Sequence, residues 1–271
     1  MGVDSDFQRA KLERTPFKWL VRMTQPINIS CPLLRELVSR WSSNDQSFRI
    51  REFLVPLSGV DVCMGLGLGI TGQEVSFNDN NLGLVNNLFN CEDITVTSIV
   101  EKLNDKILNS KKNVDDFCRL YILLTFVVFY FPRTTRTVCT YPFYLLDSLE
   151  DLHLYNWGGA VLSMLSSSLD RCSYNFHHQK NLQGMYLCGC VSVLQVSVLL
   201  LEFIFTLLYY FIDGPFFFIE QLWAVQHVGM GTLSSFPRFI DWPSLTMRSS
   251  RIESAFLYNE NLYSVLFLFF N

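Results

Sequence analysis

Hydrophobic and polar residues recur mainly with a helical period through the middle of the chain. Trp41 is predicted to end one helix, because the apolar residues before it fall at helical spacing, namely Leu34, Leu37 and Val38. A second helix is predicted over residues 115–130. It contains an uncharged stretch, residues 120–132, that is too short to span a bilayer and is typical of a buried core helix. Pro132 is expected to end this helix.

Two further helices have a start signal or an apolar stripe. Ser98 with Glu101 three residues later forms a capping-box pattern. The residues that follow place one apolar face on a helix, with Ile99, Leu103 and Ile107. A longer helix is predicted from about Leu149, with an apolar stripe of Leu154, Trp157, Val161, Leu165 and Leu169.

The segments between these helices predict turns and short strands. Alternation favours two short β-strands, near residues 47–51 and 73–77. Ser58 with Asp61 is a helix start signal, and that helix is expected to end among Gly65, Gly67 and Gly69. The pattern therefore predicts a mainly α fold. A single helical domain is expected to follow a polar lead-in, residues 1–30.

Composition narrows the class of protein. Of 271 residues, 49% are hydrophobic and 24 are Phe, so the chain has enough apolar surface to fold rather than stay disordered. Acidic residues outnumber basic ones, 25 to 21, which argues against a highly basic nucleic-acid binder. The N-terminus has no apolar signal region, so an intracellular chain is expected. Its eight scattered cysteines are interpreted as reduced, mostly buried thiols.

Gly67, Gly69 and Gly72 fit the pattern G-x-G-x-x-G. A dinucleotide site needs a strand before these glycines and a helix that opens on the last of them. Here a predicted helix precedes them and a predicted strand follows, so the order is reversed. We therefore interpret the glycines as a helix cap and turn, and no cofactor is expected.

Other polar residues suggest sites only weakly. Two adjacent histidines and a C-x-C pair, at His177, His178, Cys188 and Cys190, match the ligand spacing of zinc sites poorly, so no metal is expected. Arg133, Arg136 and Arg171 are interpreted as solvated surface residues rather than a basic interface. No local signature of a nucleophilic site is present, although such sites are assembled in space.

Residues 193–213 form the most apolar segment, interrupted by Glu202. By hydropathy this is a borderline membrane span, in which a mid-span carboxylate would cost a few kcal/mol or have a function. A buried helix is the alternative interpretation.

Several landmarks, in order, resemble the plant mobile domain, also described as aminotransferase-like. The landmarks lie in residues 41–75, 119–132, 141–162 and 189–195. The resemblance implies a mostly helical, non-catalytic, transposon-derived domain over residues 31–263, interrupted by residues 196–221. It also implies a location in the nucleus and a link to transposon silencing or genome maintenance through protein or chromatin partners. A pyridoxal-phosphate site cannot be placed, because no recognisable Schiff-base lysine and pyridinium partner occur. The landmarks proposed as structural or binding residues are Trp41, Asp61, Gly67, Gly72, Pro132, Tyr155, Trp157, Gly158, Gln195 and Trp223.

In that family, a Trp-Ala segment follows the Leu-Gln pair almost at once. Here 26 residues, 196–221, separate Gln195 from Leu222 and Trp223. Because this stretch begins and ends with residues that intron boundaries would encode, we predict that it is a translated intron, and residues 264–271 an apolar tail. The transcript sequence tests this. A single-span membrane protein and an enzyme of unknown type are the alternative functions.

Overall fold

The computed structural model describes residues 6–23, 29, 31–50, 53–77, 83–89, 94–105, 113–134, 141–178 and 186–194. Within them the fold is mainly α, as predicted, with one small antiparallel sheet. The α-helices are α1 Asp6–Leu12, α2 Cys31–Arg40, α3 Gly59–Leu66, α4 Val96–Leu103, α5 Val114–Thr125 and α6 Trp157–His177. Short 3-10 helices lie at Lys18–Arg22, Gly83–Phe89, Phe143–Leu146 and Asp151–Leu154.

The sheet consists of β1 Trp41–Ser42, β2 Ser47–Ile50 and β3 Phe53–Pro56, in that order and antiparallel. The predicted strand near 47–51 is confirmed as β2. Trp41 pairs with Phe48 across β1 and β2, and their rings lie 4.8 Å apart. This pair covers the side of α6 on which β1 packs.

The predicted strand at 73–77 is wrong. Gln73 alone forms a parallel bridge, with Tyr155. Gln73 N–H donates to the Leu154 carbonyl at 2.8 Å, and Asn156 N–H donates to the Gln73 carbonyl at 2.7 Å. The pairing stops there because the next residue, Trp157, begins α6 and turns its backbone groups into the helix.

The capping residues of α3 and α4 show where these two helices begin. The predicted start at Ser58 is confirmed, since Ser58 N–H donates to Asp61 Oδ2 at 2.8 Å. The predicted start at Ser98 is three residues late. Thr95 caps α4, because Ser98 N–H donates to Thr95 Oγ1 at 3.1 Å and Thr95 N–H donates to Ser98 Oγ at 2.9 Å. Ile99 and Leu103 are buried as predicted; Ile107 lies outside the described residues.

Helix α6 begins at Trp157 rather than near Leu149. Asn156 caps it, with its Oδ1 accepting from Gly159 N–H at 2.7 Å. The buried stripe therefore starts at Trp157 and continues with Val161, Leu165 and Leu169, whereas Leu154 is exposed. Helices α2 and α3 pack against α6, which makes it the centre of the fold.

Part of the predicted polar lead-in belongs to the core. Helix α1 packs against α5, and Leu12 and Phe17 are almost fully buried. The Phe17 ring lies 5.0 Å from that of Phe126 and 5.1 Å from that of Trp157. The structure therefore places residues 6–22 inside the helical domain.

The predicted helix over residues 115–130 is confirmed as α5 and its continuation, a π-helical turn at Phe126–Tyr130. It ends at Phe131, directly before Pro132, as predicted. Among the described residues, no helix is both long and apolar enough to cross a membrane. The predicted span falls almost wholly outside them, from residue 195 onward.

Removing the hydroxyl group of two buried tyrosines is expected to change the stability of the fold in opposite directions. No described residue accepts from or donates to Tyr130 Oη, whereas Tyr141 Oη donates to the Phe131 carbonyl at 2.7 Å. Because an unpaired buried hydroxyl costs desolvation energy, Tyr130→Phe is expected to raise the free energy of unfolding by about 1 kcal/mol. Tyr141→Phe is expected to lower it by about the same amount. Urea denaturation of both variants measures this difference in the free energy of unfolding. Equal losses of stability in the two variants would contradict the prediction.

Candidate functional site

The glycine-rich segment that follows α3 is the first candidate site. Gly67 ends α3 in the left-handed conformation, with φ of 69°, and its N–H donates to the Cys63 carbonyl at 2.7 Å. Gly72 has φ of 119°, and a Cβ there would lie 2.3 Å from the Leu154 carbonyl oxygen. These positions confirm the interpretation as a helix cap and turn.

The same segment covers the first turn of α6. Gly158 N–H donates to the Gly69 carbonyl at 2.8 Å. The neighbouring amides are also occupied: Gly159 N–H by Asn156 Oδ1, and Ala160 N–H by the Asn156 carbonyl. A phosphate would need these N–H groups free. The glycines therefore brace the start of α6, and the amides of its first turn are already occupied.

Three apolar side chains lie exposed where these segments meet. Val60 on α3 is 52% exposed, Ile70 in the glycine-rich segment 37%, and Leu154 before α6 43%. A Cβ on Gly59 or on Gly158 would lie within 3.4 Å of Ile70 Cγ2, so the Ile70 side chain bridges α3 and α6. We call Val60, Ile70 and Leu154 the Ile70 surface.

Acidic residues flank the Ile70 surface in the chain. Glu74 follows the glycine-rich segment, and Glu150 and Asp151 precede Leu154; all three are exposed. Lys11 Nζ donates to Glu150 Oε1 at 2.7 Å, which holds the pKa of that carboxyl below its ordinary value. Exposed carboxylates therefore follow Ile70 and precede Leu154 in the chain, and one of them is paired with Lys11.

Two predicted landmarks, Trp41 and Asp61, have structural roles in separate places. Trp41 Nε1 donates to Asp170 Oδ1 at 2.7 Å, which ties β1 to α6. Asp170 also accepts from Gln46 Nε2 at 3.1 Å. Asp61 completes the cap of α3 by accepting from Ser58 Oγ at 2.7 Å.

Four other landmarks come together around the start of α6: Gly72, Tyr155, Trp157 and Gly158. Trp157 is 1% exposed and belongs to the core, and its Nε1 donates to the Leu152 carbonyl at 2.6 Å. The Pro132 carbonyl lies elsewhere and accepts from Gly189 N–H at 3.0 Å. Gln195 and Trp223 lie outside the described residues.

The histidine and cysteine residues weighed for zinc serve other contacts. His178 stacks on Tyr174 with ring centroids 4.0 Å apart, and the His177 ring meets Phe176 edge-on. Cys190 is buried against Ser192, and burial raises its pKa to about 12. Among the residues that the structure describes, no three His, Cys, Asp or Glu side chains are placed to hold a metal ion.

The three arginines are not brought together as one face. The Arg133 guanidinium lies over the rings of Phe77 and Tyr141, at 5.4 and 5.0 Å from their centroids. Arg171 Nη2 lies 3.3 Å from Ser168 Oγ and 3.5 Å from Cys188 Sγ. Arg136 lies outside the described residues. The positions of Arg133 and Arg171 are thus explained by contacts with neighbouring side chains.

Sequence reasoning missed the Ile70 surface. Its only signal is an isolated Ile in a glycine-rich turn, and nothing in the pattern shows that the segments of Val60 and Leu154 meet this turn. It also missed Arg119, whose Nε and Nη2 donate to the Leu146 and Asp147 carbonyls at 3.0 and 3.1 Å. The sequence signal that could have identified Arg119 was the presence of an arginine in an apolar helix.

Comparison with known proteins corrects the family. Residues 3–195 match the family model described as Domain of unknown function (DUF8566), and not the plant mobile domain. No curated protein and no solved structure matches the chain. The predicted resemblance was wrong because its landmarks are capping, turn and core residues that many helical domains need. Since the matched region covers more than half of the sequence, the chain belongs to the DUF8566 family.

Proposed function

We propose that this chain is a non-catalytic helical domain that binds a partner protein through the Ile70 surface. The observation that carries the proposal is the exposure of three apolar side chains on segments that meet at the start of α6. Exposed apolar side chains that cluster are typical of protein-binding surfaces, whereas singly scattered ones need no explanation.

The surface is held in place before any partner arrives. The glycine-rich segment is joined to the start of α6 by hydrogen bonds from Gln73 N–H to the Leu154 carbonyl and from Gly158 N–H to the Gly69 carbonyl, both 2.8 Å long. The Ile70 side chain packs between Gly59 and Gly158. A surface fixed by backbone contacts loses little entropy when it binds, which favours affinity.

The charges favour one kind of partner. Glu74, Glu150 and Asp151 are exposed near the apolar side chains in sequence, and the chain has a formal net charge of −4. Complementary charge steers association and suppresses wrong partners. The partner is therefore proposed to present an amphipathic helix with an apolar face and basic flanks.

Selection from a displayed peptide library tests this proposal. On the wild-type chain it is expected to enrich peptides with apolar residues at helical spacing and flanking Lys or Arg. Ile70→Asp is expected to lower the affinity for an enriched peptide by about tenfold or more, since truncation or charge at a central apolar contact has effects of this size.

Tyr174→Asp is the matched control, because Tyr174 is also exposed but lies at the far end of α6, about 24 Å from Gly158 at 1.5 Å per residue. It is expected to change affinity by less than about twofold. Enrichment of no peptide, or equal weakening by both variants, would reject the Ile70 surface.

The other predicted functions gain no support from the described residues. The nuclear location and the link to transposon silencing followed from a resemblance that the family match corrects. The predicted membrane span, residues 193–213, and the predicted intron, residues 196–221, lie outside the described part of the chain, except for residues 193 and 194. The matched region ends at residue 195, one residue before the predicted insert.

A further inference from the structure

Two cysteines lie along the same stretch of α6. Cys172 is on the helix, and its Sγ lies 3.5 Å from the Tyr186 carbonyl oxygen. Cys188 is on the segment that returns beside the helix, and its N–H donates to Ser168 Oγ at 2.7 Å. Because Ser168 and Cys172 are one helical turn apart, the returning segment places Cys188 within about one turn of Cys172 on the same face of α6.

The returning segment cannot easily move away from the helix. Gly189 has φ of 90°, and a Cβ there would lie 3.3 Å from Leu165 Cα, so the backbones are in close contact. Its N–H donates to the Pro132 carbonyl at 3.0 Å. The position of Cys188 is thus fixed on both sides, by Ser168 before it and Gly189 after it.

The two thiols differ in access and surroundings. Cys172 is buried, and burial raises its pKa, while the nearby Arg171 opposes that rise. Cys188 is half-buried, with Arg171 Nη2 3.5 Å from its Sγ. A thiol that is partly accessible and in contact with a cationic group is the kind that oxidants reach first.

We propose that Cys172 and Cys188 form a reversible thiol–disulfide pair that peroxide closes. The Cys188 sulfur attacks one peroxide oxygen, the O–O bond breaks, and the products are a sulfenic acid and water. The Cys172 sulfur then attacks the Cys188 sulfur, the S–O bond breaks, and the hydroxyl leaves as a second water with the Cys172 proton. In sum, two thiols and one hydrogen peroxide give one disulfide and two waters.

The consequence is a covalent link between α6 and the segment at residues 186–190. In a reducing compartment a cellular dithiol would reopen the link, so it responds to the redox state. This device is independent of the Ile70 surface, which lies at the opposite end of α6.

Peptide mapping of the full-length chain tests the pair. The reduced protein is treated with hydrogen peroxide, remaining thiols are alkylated, and the digest is analysed without reductant. The expected product joins the peptides that contain Cys172 and Cys188, and dithiothreitol removes it. Cys172→Ser is expected to leave a sulfenic acid at Cys188 that dimedone captures, and Cys188→Ser to abolish the link.

Two controls separate this pair from general oxidation. Cys63→Ser alters another half-buried thiol and is expected to leave the link unchanged. Arg171→Gln is expected to slow its formation about fivefold or more, since the cationic contact is lost. The proposal is overturned if Cys188 is oxidised without a link to Cys172, or if either cysteine joins a different one instead.

Discussion

Replacing Trp157 with alanine is expected to lower the free energy of unfolding by about 3–5 kcal/mol, the range for aromatic side chains removed from a core. The indole is 1% exposed, and its ring centroid lies 5.0 Å from that of Phe126 and 5.1 Å from that of Phe17. Its Nε1 also donates to the Leu152 carbonyl at 2.6 Å. Alanine would leave both a cavity and an unpaired buried acceptor.

Chemical denaturation followed by far-UV circular dichroism measures this loss. Because a loss of 3–5 kcal/mol is a large part of the stability of a typical domain, the alanine variant can fail to fold. Trp157→Phe is then the variant to measure, because it keeps an aromatic ring but loses the hydrogen bond. Its free energy of unfolding is expected to fall by about 1–3 kcal/mol. A loss below about 0.5 kcal/mol in Trp157→Phe would show that the Leu152 contact is unimportant.

This result would also explain why Trp157 is a poor probe of binding. A tryptophan at a helix start can be read from sequence as core or as contact surface with equal ease. The structure assigns it to the core, where its ring contacts Phe17 in the segment after α1 and Phe126 in the π-helical turn after α5. Substitution of Trp157 therefore tests folding, whereas Ile70 is 37% exposed and lies outside the buried core, so its substitution tests the proposed interaction more directly.

Local signals in the sequence predicted much of the helical framework. The stripe of α6 from Trp157 onward, the buried α5 and the Ser58–Asp61 cap each depend on residues within a few positions of one another. Periodicity and capping are local properties, so they can be read from the pattern without knowing the fold.

Two of the errors came where distant contacts decide the backbone. Whether residues 149–154 continue α6 depends on Gln73, whose N–H occupies the Leu154 carbonyl. Whether residues 6–22 are a lead-in depends on the aromatic rings that Phe17 meets. The candidate site could not be predicted for the same reason. Val60, Ile70 and Leu154 come from three segments that only the folded chain brings together.

The contact of Gly72 with Leu154 gives the second large expected effect. Gly72→Ala is expected to lower the free energy of unfolding by about 2–4 kcal/mol, from left-handed strain and overpacking together. A Cβ at this φ of 119° would lie 2.3 Å from the Leu154 carbonyl oxygen. That carbonyl is backbone and already accepts from Gln73, so it cannot move aside without breaking the bridge.

Gly69→Ala is the matched control in the same segment. Gly69 is not in the left-handed region, and a Cβ there would meet nothing within 4 Å. Its alanine variant is expected to change stability by less than about 0.5 kcal/mol, as for an ordinary surface substitution. Urea midpoints of the two variants, measured beside the wild type, give the comparison. If both glycines tolerate alanine equally, the segment is not held against Leu154, and the Ile70 surface loses the contact that fixes it.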